Sequence, residues 1–113
     1  MKKFIAAATT LFFVLGTNSI ADELVKNYCT TIKEMMSLTV EARHTHPHWL
    51  KDMVERAAQS NTPNLSLLII RKAWSAPLQT DPQLQKVLAT LQSHEIFSLC
   101  MVSHETFINL DNY

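Results

Sequence analysis

Thr62-Pro63-Asn64-Leu65-Ser66-Leu67-Leu68-Ile69-Ile70-Arg71-Lys72-Ala73-Trp74-Ser75-Ala76-Pro77 carries the choice between an all-helical and a mixed fold. Thr62-Pro63 is a cap residue followed by proline, a pairing suited to the first helical position because the missing N–H would lack a partner there anyway. From Leu65 to Trp74 apolar residues surround the axis, as in a helix packed on several sides. Taken alone, Leu65 to Ile70 is short enough to be a buried strand. No second segment offers a strand to pair with it, so the stretch is predicted to be a central helix that Pro77 stops.

Outward from this helix, three further segments carry a helical period. Upstream, Leu24, Tyr28, Ile32, Met35, Met36 and Val40 recur at three- and four-residue steps, with Asp22 and Glu23 in the first turn, where the helix dipole favours carboxylates. Between this segment and the central helix, Pro47 opens a second, capped by Thr45 or His46. Trp49, Leu50, Met53 and Ala57 form its inner face, with Ala58 at its edge. Downstream, Thr80-Asp81-Pro82-Gln83 places Thr and Gln at capping-box spacing. There, Leu84, Val87, Leu88 and Leu91 form one stripe, and Ile96, Phe97, Cys100, Met101, Phe107 and Ile108 form another. The offset near Ser93 predicts either a bend or a new inner face. The only glycine is Gly16. A glycine-free remainder argues against the tight hairpins of sandwiches and barrels. The expected fold is all-α, a small antiparallel bundle of about four helices joined by short links.

The N-terminus has the form of an export signal. Met1-Lys2-Lys3 precedes a mostly apolar run from Phe4 to Leu15, and Ser19-Ile20-Ala21 gives a small-x-small cleavage site. Residues 1–21 are therefore expected to be a cleaved signal peptide and 22–113 a single helical domain. As a helix the apolar run would span about 18 Å, short of the roughly 30 Å needed to cross a membrane. The expected location is periplasmic or secreted. In an oxidising compartment Cys29 and Cys100, the only cysteines, are expected to pair. Such a bridge would pin the first helix to the last and close a loop of about seventy residues, worth on the order of 4 kcal/mol to a marginal small domain.

The ten basic and ten acidic residues balance. Removing Lys2 and Lys3 leaves a slightly acidic chain with no basic stripe, so neither nucleic acid nor an anionic membrane surface is an expected partner. His44-Thr45-His46-Pro47-His48 is the sharpest local motif. In extended backbone alternate side chains share one side, so His44, His46 and His48 could converge on zinc, copper or nickel. Glu41 or Asp52, a helical turn away, would complete the shell. The plainer alternative is a polar loop between two helices, with histidine suited to the end of the first. His94-Glu95 and His104-Glu105 each resemble half of a zincin motif, but positions 98 and 108 hold Ser98 and Ile108 instead of the second histidine. No nucleophile elbow, glycine-rich phosphate loop or Cys-x-x-Cys pair is present, and neither an enzyme nor a bound cofactor is expected.

Cys29 in the first helix, Ala42-Arg43 near its end, Trp74-Ser75-Ala76-Pro77 and Cys100 in the last helix resemble a scattered group of small, mostly uncharacterised exported helical proteins of proteobacteria. That group often has a glycine shortly after the arginine, where this chain has its histidine triplet. The resemblance implies a fold and a compartment, and no activity. The function expected on these grounds is that of an exported protein-binding module such as an adaptor, an inhibitor or immunity-type factor, or a small chaperone, its partner another envelope or secreted protein. The alternative is a metal-binding or pH-sensing protein that uses the histidine loop.

Overall fold

The structure is a computed structural model that describes the backbone of residues 2–112 and the side chains of residues 22–112. The expected leader, residues 1–21, lies outside the residues described in full. Among the described residues there are five helices and no strand: α1 (Lys2–Thr45), α2 (Leu50–Ala58), α3 (Pro63–Ser75), α4 (Pro82–Val102) and α5 (His104–Asn109). The Leu65–Ile70 stretch is helical, as its proline-marked ends require.

Cys29 and Cys100 form a disulfide with their Cα atoms 5.6 Å apart, joining α1 to α4. These two helices run antiparallel. Cys29 meets Cys100, while at the other end of the pair His44 shares a groove with Pro82. On α1, Cys29, Ile32, Met36 and Val40 are buried at steps of three and four. Leu65, Ile69 and Ala73 of α3, Ile96 and Cys100 of α4, and Phe107 of α5 complete a single core. Leu24, expected on the inner stripe of α1, is exposed. It lies about 140° around the helix from Cys29, and the bridge turns Cys29 inward.

The same lock explains a larger departure on α4. Cys100 must face α1, and counting back in helical steps places Ile96, Ser93 and Ala89 on the same face. Gln92, Ser93 and Ile96 are buried, while Leu84, Val87 and Leu91 point outward. Of the expected leucine-rich stripe, only Leu88 packs against the core. The helix runs without a break through Ser93 and ends instead at Ser103, where a short turn starts α5.

Long-range polar contacts tie the ends of the elements together. The carboxylate of Asp111 accepts hydrogen bonds from the backbone N–H groups of Asn64 and Leu65, at 2.6 and 3.2 Å. The Asn64 amide donates to the carbonyl of Leu110. A residue from the far end of the chain thus caps α3, where Thr62 makes no side-chain cap bond. Asp81, and not Thr80, caps α4 by accepting from Gln83 N–H. Buried Gln92 donates to the carbonyl of Lys72, and the Lys72 ammonium pairs with Glu95. The Arg43 guanidinium lies over the Trp74 ring, 5.6 Å from its centroid.

Candidate functional site

The histidine motif is not an extended strip. His44 belongs to the last turn of α1, and its two ring nitrogens are both engaged. The Gln79 backbone N–H can only donate, so Nε2 accepts it, at 3.2 Å. Nδ1 must then carry the proton and donate to the Val40 carbonyl at 2.9 Å. His44 therefore fastens the α3–α4 connection to α1. His46 is exposed and stacks flat on Trp49, with ring centroids 3.7 Å apart and planes 5° from parallel. The Trp49 backbone N–H donates to the His46 carbonyl, closing a turn through Pro47 and His48. This turn delays the second helix to Leu50, past the proline expected to begin it, and Trp49 stands at its N-cap.

Of the five residues proposed as metal ligands, Glu41 and His44 line one groove between α1 and the start of α4. His46, His48 and Asp52 are not among its lining residues. Among the described residues no three His, Cys, Asp or Glu side chains gather as a metal site would require.

A different site emerges where α1, α2 and α3 meet. α2 buries only Ala57, although Trp49, Leu50 and Met53 are on the face expected to turn inward. α2 packs on α3, and a groove of about 340 Å³ stays open beside Ala57. Met35 of α1, Trp49 and Met53 of α2, and Ile69 and Ile70 of α3 form its apolar walls, with Arg56 among the lining residues. Trp49 is 44% exposed and held in orientation by its stack on His46. Two thioethers and an indole make a soft, adaptable wall, and methionine in particular accommodates side chains of varied shape. The groove has room for one or two large apolar side chains. Sequence reading placed Trp49 and Met53 correctly on one face. That the described residues leave Trp49 open depends on how α2 seats on α3, which helical periodicity does not carry.

The geometry offers contact chemistry: an apolar floor, a planar aromatic edge and the cation of Arg56. Tyr28 has a perturbed ionisation outside this groove. Burial, aided by the negative charge of Asp111, raises its phenol above the ordinary value of 10.0. No family model, no curated protein and no solved structure matches the chain. Among the described residues no helix is long and apolar enough to cross a membrane.

Proposed function

We propose that this chain is an exported protein-binding module, and that the α1–α2–α3 groove receives apolar side chains from another envelope or secreted protein. The observation that carries the reading is the open groove walled by Met35, Trp49, Met53, Ile69 and Ile70 on a disulfide-pinned scaffold. Helix-in-groove recognition needs such a trough to take anchors spaced three or four residues apart. Trp49 and Arg56 are of the residue types that dominate binding hot spots. Arg56 favours a partner segment with an acidic residue beside its apolar anchors. Export is supported by the leader-like N-terminus and by the pairing of the only two cysteines.

The test is capture of partners from an envelope extract by the wild type and by Met53→Glu. Met53 is only partly buried, so the variant should keep the wild-type melting temperature while placing a charge in the groove. A partner held by the wild type and lost by Met53→Glu is the expected result. Equal capture by both proteins would remove the groove from the function. The same extract should yield a partner segment that is amphipathic and acidic at one flank.

A further inference from the structure

We infer that the outward face of α4 is a two-fold interface for a second copy of this chain. Leu84, Val87, Leu91, Leu99 and Val102 are each at least half exposed, and Val102 reaches 84%. Their helical angles fall within about 60° of one line, roughly opposite the buried face of Ile96 and Cys100. The disulfide fixes that rotation, so the stripe cannot roll inward while Cys29 and Cys100 are joined.

The spacing of the stripe identifies the occupant. Leu84, Val87, Leu91, Glu95, Leu99 and Val102 follow steps of three, four, four, four and three. The series reads the same in both directions about Ser93. An isologous two-fold contact requires that residue i meet j while j meets i. An antiparallel pair of α4 helices centred at Ser93 does this: Leu84 faces Val102 of the second copy, Val87 faces Leu99, and Leu91 faces Glu95.

The middle of the stripe is shaped for that register. Leu91, His94, Glu95, Ser98 and Leu99 line a shallow depression on α4. Four of them stand at i, i+3, i+4 and i+7, the corners of a hole for one knob from a facing helix. The register brings Leu91 of the second copy to that hole. Glu95, the one charge in the series, is paired with Lys72 of its own chain, which leaves its methylene stem for contact. The 21 residues of α4 span about 30 Å, and two such helices packed along that length bury roughly 1,000–1,200 Å² in total, at the threshold of a specific interface. The groove of the proposed function lies among α1, α2 and α3, so the two surfaces stand or fall separately.

Sedimentation velocity on the oxidised protein, as recovered from its host, tests the inference. A reversible dimer is expected below about 100 μM, with Leu91→Glu weakening it at least about tenfold because like charges then meet at the centre. Leu91 is exposed, so the variant should fold, and its melting curve is recorded beside the wild type. The register has its own check. Leu84→Lys and Val102→Glu should each weaken the dimer, and the double variant should recover it, because position 84 of one copy meets 102 of the other. A wild type that stays monomeric at that concentration, or grows into open-ended aggregates, overturns the inference. So does a dimer that Leu91→Glu leaves unchanged, or a double variant no tighter than its singles.

Discussion

Asp111 does for α3 what its own first residues do not. Two backbone N–H groups at the helix start donate to this one carboxylate, and its charge also suits the positive end of the helix dipole. Asp111→Ala should therefore cost about 1–2 kcal/mol, in the range of lost caps, and urea unfolding would measure it. Nearby, Tyr28 gives a pH dependence of definite sign. Burial and the Asp111 charge raise its folded value above 10.0, so the neutral phenol is favoured in the native state. Its contribution is fully present below that ordinary value and is lost as pH rises through the raised one. The urea midpoint should fall on the alkaline side, and Tyr28→Phe should flatten that fall. Neither role was readable in the chain beforehand. Asp111 reads as a terminal polar residue, and its partners Asn64 and Leu65 lie more than forty positions away. His44 is a similar case: its residue type was conspicuous, but the Gln79 N–H that occupies it comes from a distant loop.

Among the elements, α3 shows both what periodicity gives and where it fails. Thr62-Pro63 and Pro77 marked its limits within a residue or two, and proline likewise marked α4. The inner side was another matter, because an all-round apolar helix carries no directional signal. The all-apolar stretch predicts both Leu68 and Ile69 deep in the bundle; Ile69 is buried at 2%, but Leu68 is 40% exposed, which corrects that expectation for Leu68. Ile69→Ala should cost roughly 2–5 kcal/mol through lost transfer energy and a residual cavity. Leu68→Ala should cost less than about 1 kcal/mol, as exposed sites generally do. Paired thermal melts of the two variants would show the asymmetry directly. On α4 the sequence held two competing apolar stripes, and local pattern gave no means to rank them. The covalent lock at Cys100 ranks them, sending Gln92 and Ser93 inward and Leu84, Val87 and Leu91 of the other stripe out. The cysteines were the legible part. Their effect on rotation needed the geometry of both helices.

At the scale of the molecule, among the described residues one core joins α1, α3, α4 and α5, and α2 packs beside it on α3. A bridge across 71 positions of a small domain restrains the unfolded chain strongly. Cys29→Ser or Cys100→Ser should lose about 2–5 kcal/mol. Thermal unfolding of the oxidised protein, the reduced protein and both variants checks this, with the last three expected to melt together. The arrangement also sets a kinetic order. α2 and α3 are neighbours in sequence and can pair early, whereas the inner face of α1 meets its main partner only when α4 closes over it, some seventy residues on. Contacts that distant make folding slow, because the entropy of closing the loop is spent before the contacts form. Until then Ile32, Met36 and Val40 are open to any apolar surface they meet. A chain whose ends are already tethered has little of that search left, so the oxidised protein should refold from urea faster than the reduced one and aggregate less on the way.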